Sequence, residues 1–471
     1  MTDFLVTDIG HGLVGDREGT RLAGALRVRG GRIAEMGALS PEPGERTVSA
    51  AGGVVVPGFV NTHHHLFQSV LKGVPAGMNL PLEPWLGAVP YTYWPRIDAR
   101  ALRVAARIGL AELALSGATT VCDHHYIFTP YRDHDPAGIL FEEAARLGVR
   151  LVLARGGGTR GRRFDGATPP APVETLDAFL ADTARIADRW HDPGDDAMTR
   201  VAVAPTTPTF NVEAGELAEI AAFARSRGLR LHSHLSENEG YAAYTLARCG
   251  LRPVPWLAEH GWLGPDTWFA HLVDLKPSEV ALLTETGTAM AHCPQANARL
   301  GSGIAPAAAL HNRGGTVSLA VDGAAANEAA DMGAALHSAF ALQRAAHGAR
   351  ALRPETVLHW ATAGGAKALG LPAIGMLAPG MAADLAILDL SMPRTFGLHD
   401  PALAPVVAGN LAVRHSFVAG RPVVVDGTLA GLDLKDLAAE ARDVTAALAA
   451  PDITPRSRSR QRPEAARVVA P

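Results

Sequence analysis

Cysteine is scarce in this chain of 471 residues, and its scarcity excludes two kinds of protein. The three cysteines, Cys122, Cys249 and Cys293, are widely spaced and form no CxxC pair. A set that is odd in number and scattered argues against both a disulfide framework and a thiolate zinc site, and it suits a reducing compartment. We therefore expect a cytoplasmic protein.

Long apolar runs and a net positive charge are also missing. No run reaches the roughly 18 apolar residues that a membrane span needs, and residues 1–4 do not begin a signal peptide. The net charge of −4 gives no support for a nucleic-acid or membrane partner. Basic residues are almost all Arg, because lysine occurs only at positions 72, 276, 367 and 435.

What the chain does have is 48% hydrophobic residues and a regular alternation of strand and helix patterns. The clearest helix covers residues 176–190, whose apolar positions follow a period of 3.6. Seven strands are predicted at 118–124, 149–155, 200–204, 229–234, 268–272, 288–292 and 316–322, after a first strand that ends in three histidines at 63–65.

Eight strand–helix units predict an α/β fold, a closed (β/α)8 barrel of the TIM type over residues 57–374. A doubly wound open sheet is the alternative. We favour the barrel because polar residues recur at the carboxyl ends of many strands, where barrel enzymes place their chemistry.

Short β-segments at both ends of the chain predict a second, smaller domain. Residues 1–56 and 375–430 would together form a β-sandwich, with the barrel inserted between them. A helix is expected within 431–450. The tail at 451–471 carries Arg among Pro and Ser, and we expect it to be disordered, with polyanion binding as the alternative.

The histidine run is half of a metal site. Alternate residues of a strand share a face, so His63 and His65 point to one side, whereas His64 points to the other and is expected to pack. Imidazoles and a carboxylate together suit zinc or ferrous iron. Further candidates at strand ends are His232, His234, Glu237, His271, His292 and Asp322.

Four motifs in this region occur together: Pro57-Gly58-Phe59-Val60-Asn61-Thr62-His63-His64-His65, His234-Leu235-Ser236-Glu237, Ala270-His271 and Val321-Asp322-Gly323. As a set they resemble the amidohydrolase superfamily, in its cytosine/guanine-deaminase-like branch, which includes the chlorotriazine hydrolases. Within that branch the surrounding stretches resemble the 8-oxoguanine and isoxanthopterin deaminases. The resemblance covers nearly the whole chain.

The resemblance implies a role for each motif residue. One divalent ion, Zn2+ with Fe2+ as the alternative, would be held by His63, His65, His234 and Asp322. The ion lowers the pKa of water to roughly 7, so that hydroxide can attack the amino-bearing ring carbon. Glu237 would carry protons to the ring nitrogen and the leaving amine, and Asp322 would accept a proton from the water.

Two further site histidines are assigned on the same basis. His271 would orient the water or stabilise developing charge. His232 shares a strand face with His234 but lies one layer deeper, so we prefer His234 as the ligand and leave His232 to packing or to contact with a ligand. The roles of His292 and His399 stay open.

Lysine scarcity then bears on the number of metals. Binuclear relatives use a carboxylated lysine from a mid-barrel strand as a bridge between the ions. No lysine lies between Lys72 and Lys276. One metal is therefore expected.

Substrate contacts are expected from two side chains. The Gln68 carboxamide can donate to and accept from an amino-lactam edge at once. Arg155 could meet a ring carbonyl, with a salt bridge as its alternative role. The aromatic segment at 74–95 could cover a flat ring or pack on the barrel rim. The glycine run at 156–158 lacks the Lys-Ser/Thr ending of a phosphate loop.

The resulting hypothesis is a cyclic amidine deaminase whose partners are a small heterocycle and water, with self-association left open. A triazine hydrolase that displaces chloride or alkylamine is one alternative. A non-catalytic scaffold on the same fold is the other.

Overall fold

The computed structural model describes residues 3–128, 134–161 and 173–450. Its centre is a parallel sheet of eight strands, in which neighbours in the chain are neighbours in the sheet. The strands are Phe59–Asn61, Ala118–His125, Arg150–Arg155, Thr199–Val203, Arg230–Leu235, Thr267–His271, Ala289–His292 and Val317–Leu319.

The first and last strands close the sheet on itself. The Thr62 N–H donates to the Leu319 carbonyl at 3.2 Å, and the Asp322 N–H donates to the His63 carbonyl at 3.1 Å. The predicted barrel is thus confirmed, and the open sheet is excluded.

Helices surround the barrel. The helix predicted at 176–190 is found at Leu176–Trp190. Among the described residues, the others with at least seven residues outside the small domain are Leu82–Ala88, Ala99–Leu115, Pro136–Leu147, Ala214–Ser226, Glu239–Cys249, Pro253–Glu259, Pro277–Thr286, Met332–His347, Pro354–Trp360, Ala363–Leu369 and Leu434–Ala449. No helix in the described part of the chain is long and apolar enough to cross a membrane.

The first and eighth strands are shorter than predicted. The first strand ends at Asn61, before His63, and the eighth ends at Leu319, before Asp322. Asp322 then adopts a φ of 63°, in the left-handed region that L residues rarely occupy. The backbone here departs from the strand conformation and places polar side chains at the mouth of the barrel.

Both chain ends contribute to a small β-sandwich, as predicted. One sheet contains Arg32–Gly37, Gly24–Arg29, Phe4–Ile9 and Thr47–Ser49, and the other contains Thr428–Leu429, Arg421–Val425, Val413–Val418, Leu385–Asp389, Gly53–Pro57 and His11–Gly12. The rings of Phe4 and Phe417 stack at 4.5 Å, which joins the two ends in one core. The tail predicted to be disordered lies outside the described residues.

One buried ion pair ties the barrel to the small domain. Arg150 begins the third barrel strand, and its Nε and Nη2 donate to the Asp384 carboxylate at 2.7 and 3.0 Å. Asp384 also accepts from the Ala419 N–H at 2.7 Å. Both side chains are only 1% exposed, so neither charge has water as a substitute partner.

Replacing Asp384 by Ala should therefore leave a buried guanidinium without its counter-ion. We expect a loss of about 3–5 kcal/mol in stability, measured by chemical denaturation. Asp400→Ala is the matched control, because Asp400 pairs with Arg21 at the surface, and such a pair contributes less than about 1 kcal/mol. Equal losses in the two variants would contradict this role for Asp384.

Candidate metal centre

Polar side chains from five of the barrel strands, or from the turns that follow those strands, converge at the carboxyl end of the barrel. The potential ligand atoms of His63, His65, His124 and His234 lie within 4.8 Å of one another, and so do those of His63, His271 and Asp322. All six side chains are buried. The residues predicted as metal ligands are therefore brought together.

The spacing of the ligand atoms suits one ion. The Nε2 atoms of His65 and His234 are 3.1 Å apart, and the Asp322 Oδ1 lies 3.4 Å from the Nε2 atoms of both His63 and His65. Ligands about 2.0–2.1 Å from a tetrahedral ion are separated by about 3.3 Å. A single small cation can therefore contact this set.

Backbone carbonyls fix the tautomers of two of these histidines. The Nδ1 of His65 contacts the His124 carbonyl at 2.7 Å, and the Nδ1 of His234 contacts the Thr206 carbonyl at 2.6 Å. A carbonyl oxygen only accepts, so each Nδ1 carries the proton and each neutral ring presents a bare Nε2 lone pair. Burial lowers the pKa of His65 to about 3, which keeps that ring neutral.

His63 is fixed in the same way through a second histidine. The Nδ1 of His232 contacts the Trp268 carbonyl at 2.9 Å and so carries its proton. The His232 Nε2 must then accept from the His63 Nδ1, 2.8 Å away. Burial lowers the pKa of His232 to about 3, so it does not become a second donor. His63 is left with a bare Nε2.

Three lone pairs and a carboxylate thus face one point. Two bare imidazole nitrogens at 3.1 Å cannot hydrogen-bond to each other, and the buried His63 Nε2 has no hydrogen-bond partner. Only a cation satisfies all of them together. The donor set is an N3O set of the kind that binds divalent zinc or iron, so the residues present fit the implied metal.

His64 occupies the opposite face, as predicted, and does more than pack. Its Nδ1 donates to the carbonyl of Asp322, and burial lowers its pKa to about 4. Because Asp322 sits at a positive φ, this bond helps to hold an uncommon backbone conformation at a ligand position.

His124 is the site residue that sequence analysis missed. It lies at the end of the second strand, and its Nε2 contacts the Ala204 carbonyl at 2.8 Å. Its buried Nδ1 has no hydrogen-bond partner, and the ring packs at 4.8 Å from that of His234. The signal was available, since His124 ends a strand as the other candidates do.

Glu237 and His271 lie together beside the metal ligands. The Glu237 Oε1 is 3.7 Å from the His271 Nε2, and the His271 Nδ1 donates to the Asn297 Oδ1 at 2.9 Å. His271 has a φ of 74°, and Ser236, before Glu237, has a φ of 48°. The strand ends turn sharply where these side chains enter the site.

Glu237 and His271 line a cavity whose empty volume, with its open mouth included, is about 490 Å³. We call this the catalytic cavity. Its lining residues are His65, Gln68, Leu82, Trp85, Leu86, Tyr91, Tyr126, Thr206, Thr207, Asn211, His234, Glu237, His271 and Asp322. Trp85 and Tyr91 come from the aromatic segment at 74–95, so part of that segment covers the site.

Gln68 reaches this cavity with an unsatisfied acceptor. Its Oε1 is buried without a hydrogen-bond partner, while its Nε2 donates to the Tyr126 hydroxyl at 3.4 Å. Gly323 leaves room for it, because a Cβ there would stand 2.0 Å from the Gln68 Oε1. A buried unpaired acceptor costs free energy, and this one belongs to a residue that lines the catalytic cavity.

Arg155, expected to contact a ring carbonyl of the substrate, lies outside the catalytic cavity. Its guanidinium pairs with Glu174 at 2.6 Å and Asp182 at 2.9 Å, and it lies 4.7 Å from the ring centroids of Phe128 and Phe179. It is 1% exposed and does not line the catalytic cavity. Arg155 therefore forms salt bridges, the alternative role given for it in the sequence analysis.

The model of the amidohydrolase family matches residues 54–423. An isoxanthopterin deaminase from an unknown prokaryotic organism is 49% identical over 89% of this chain and 90% of its own length. An 8-oxoguanine deaminase from Pseudomonas aeruginosa is 40% identical over 92% and 96%.

A solved structure extends this likeness. The atrazine chlorohydrolase of Arthrobacter aurescens, crystallised with zinc, is 27% identical and has a TM-score of 0.88 over 94% of this chain and all of that one.

His232 should control metal affinity although it cannot reach the ion. In His232→Phe the ring still stacks on Trp268, but the acceptor for the His63 Nδ1 is lost. We expect affinity for Zn2+, measured by chelator competition, to fall about 10–100-fold.

His260→Phe is the control, since within the described residues the His260 side chain bonds to the Trp256 carbonyl and packs on the Trp256 ring, away from the site. Unchanged affinity in His232→Phe would show that the His63 tautomer does not depend on His232.

Proposed function

The chain belongs to the amidohydrolase family and is a hydrolase of C–N bonds, and we propose that it deaminates an amino-lactam heterocycle of the 8-oxoguanine or isoxanthopterin type. The observation that carries this proposal is the catalytic cavity itself. Glu237 and Asp322 meet the bare imidazole nitrogens at one side of it, and the unsatisfied Gln68 amide lines another.

His63, His65, His234 and Asp322 would hold the metal, with Zn2+ preferred and Fe2+ the alternative. When bound, the ion supplies hydroxide at neutral pH, because it lowers the pKa of water to about 7. A single ion is proposed, because no lysine between Lys72 and Lys276 is available to bridge two.

Asp322 and Glu237 divide the proton transfers. As the water oxygen bonds to the amino-bearing carbon, the Asp322 carboxylate takes the water proton. Burial raises the pKa of Asp322, which favours this uptake. Glu237 takes the other water proton and delivers it to the adjacent ring nitrogen. It then passes the proton held by Asp322 to the amine as the C–N bond breaks and ammonia leaves.

A hydrogen bond to Asn297 places a proton on the Nδ1 of His271. Its Nδ1–H is directed to the Asn297 Oδ1, which leaves the Nε2 facing Glu237 and the site. In that tautomer the Nε2 can accept a hydrogen bond from the attacking water and so position it. Supporting negative charge that develops on the substrate would require a proton on Nε2 as well.

Gln68 would hold the ring edge. A primary carboxamide presents one acceptor and two donors, which matches the N–H and C=O of a lactam. The free Gln68 Oε1 would accept the lactam N–H, and the amide nitrogen would donate to the carbonyl. The apolar faces of Leu82 and Trp85 would cover the flat ring.

A triazine hydrolase is less well supported by the same residues. Departing chloride needs no proton, whereas a departing amine does, and Glu237 lies where such a proton can be delivered. A non-catalytic scaffold is also less well supported. Such a protein would not need to keep Glu237 and His271 beside the metal donors in one buried cluster.

A substrate panel tests the proposal. The Zn2+-loaded enzyme should release ammonia from 8-oxoguanine, isoxanthopterin or pterin, with guanine, isocytosine and cytosine as smaller or differently substituted comparators. An N-alkylaminotriazine is included as well. Silence on all heterocycles with metal bound would refute the deaminase, and turnover of the triazine alone would favour the hydrolase.

Glu237→Gln should retain the metal and lose ammonia release by at least about 100-fold, because an amide cannot deliver a proton. Metal content and single-turnover rates are the measurements. Glu239→Gln is the matched control: Glu239 is exposed, two residues away and outside the cavity, so that variant should keep wild-type rates. A Glu237→Gln enzyme with normal turnover would remove Glu237 from the mechanism.

A further inference from the structure

A large cavity lies at the amino end of the barrel, opposite the catalytic cavity. Its empty volume, with its open mouth included, is about 940 Å³. The described residues that line it come from 193–200 and 363–381, two ranges that the structure describes throughout. One of them, Arg200, is the second residue of the strand Thr199–Val203, so the cavity lies where that strand begins. We call this space the basal cavity.

One wall of the basal cavity is apolar. Leu371 and Ile374 line it and are buried, and Met376 and Met381 add partly exposed thioether side chains. Met381 packs against the core of the small domain, so the cavity lies where the barrel and that domain meet. An apolar wall of this kind suits the hydrocarbon part of a small organic molecule.

Cationic side chains form another part of the lining. Arg200 and Lys367 line the cavity directly. Arg230 lies behind it, because a Cβ on the lining residue Gly370 would stand 2.8 Å from the Arg230 Nη1. Within the described residues, none of these three cations forms an ion pair with a carboxylate.

Arg200 and Arg230 are neighbours in the barrel sheet. Arg230 pairs with Ala202 of the adjacent strand, two residues after Arg200. Alternate residues of a strand share a face, so the two arginines extend from the same side of the sheet. Burial lowers the pKa of Arg200, although Asp192 and Asp195 act in the opposite sense. Burial also lowers the pKa of Arg230 to about 10, and the charge of Arg200 adds to that effect.

Both guanidiniums also have an unused donor. The Arg200 Nη2 donates to the carbonyls of Pro193 and Gly194 at 3.1 and 2.7 Å. The Arg230 Nη2 donates to the Pro265 carbonyl. The Nε–H of each arginine is buried without a hydrogen-bond partner. Buried unpaired donors cost free energy, and an anion that reached them would recover part of that cost.

The nearby carboxylates do not balance these charges. Asp266 pairs with Arg225 at 2.7 Å, and Asp196 pairs with Arg32 at 2.6 Å. Asp195 is the one carboxylate among the described lining residues. The lining therefore has two cationic side chains for one carboxylate, with a third cation behind it.

We propose that the basal cavity binds a small organic phosphate. Arg200, Arg230 and Lys367 would hold the phosphate group, and the organic part would pack on the apolar wall. Two guanidiniums and an ammonium match a doubly charged oxyanion, and the planar guanidinium fork suits phosphate oxygens. The proposed deamination uses none of these residues, so the inference does not rest on that function.

Calorimetric titration of the Zn2+-loaded enzyme with phenyl phosphate, inorganic phosphate and phenol tests the site. We expect one phenyl phosphate per chain with a Kd below about 1 mM. Inorganic phosphate and phenol should each bind at least about tenfold more weakly, because each lacks one part of the ligand. No binding of phenyl phosphate at about 1 mM, or equal affinity for either of the other two, would overturn the proposal.

Two variants locate the bound phosphate. Arg200→Gln should weaken phenyl phosphate binding at least about tenfold, because a charge-assisted hydrogen bond is lost. Lys367→Gln should weaken it about threefold, because Lys367 is exposed and water screens its charge. Arg313→Gln and Lys435→Gln are the matched controls: both residues are exposed and neither lines the cavity, so affinity should not change.

Unchanged affinity in both cavity variants would overturn the proposal, because it would place the phosphate elsewhere, such as at the metal. If Arg200→Gln does not fold, the comparison of Lys367→Gln with Lys435→Gln still decides. Lys367 is exposed and has no described ion pair to lose, so its replacement should leave the fold intact.

Discussion

The constraint on which the site depends is the position of one proton on each of three imidazoles. His65 and His234 must protonate Nδ1 because carbonyl oxygens face those atoms. His63 must do the same because His232 is itself committed to the Trp268 carbonyl. Neutral rings fixed in this way can only present lone pairs to one another, and the Asp322 carboxylate faces the same point. The barrel supports an arrangement that only a cation can stabilise.

The hydrogen bonds that close the barrel also position part of the site. The contacts that join the first and last strands involve the backbone of Thr62, His63 and Asp322, two of which are proposed ligands. His64 adds a side-chain bond to the Asp322 carbonyl from the other face. The backbone at His63 and Asp322 is therefore held by the bonds that close the barrel, which gives these two proposed ligands rigid support.

We propose that residues lining the same cavity select the substrate. Gln68 lies next to the ligands and offers an unsatisfied acceptor, while Trp85 and Tyr91 come from the separate segment at 74–95. The groups proposed for hydrolysis belong to strand ends, and those proposed for recognition belong largely to loops. Loops can change while the strand ends stay fixed, which is consistent with relatives of similar fold that bear the names of different activities.

Periodicity and strand position predicted the barrel, the small β domain and the gathering of polar side chains at one end of the barrel, because parallel strands necessarily align their carboxyl ends. The choice of His63, His65, His234 and Asp322 as metal ligands among those side chains rested on the resemblance to the amidohydrolase superfamily. The contacts of Arg155 could not be predicted, since Glu174 and Asp182 are 19 and 27 residues away and reach it only through folding. His232 was left ambiguous for a similar reason. Its role depends on a hydrogen bond to His63, 169 residues distant.

The most direct test of the central claim is to add Zn2+ stepwise to the metal-free enzyme and to measure ammonia release. The substrate is pterin or 8-oxoguanine, whichever the enzyme deaminates. Ammonia release should rise with added Zn2+ and reach its plateau at one equivalent per chain, in step with bound metal measured on the same samples. A plateau at two equivalents would contradict the single site built from His63, His65, His234 and Asp322. Full activity in the metal-free protein would contradict the role of these lone pairs altogether.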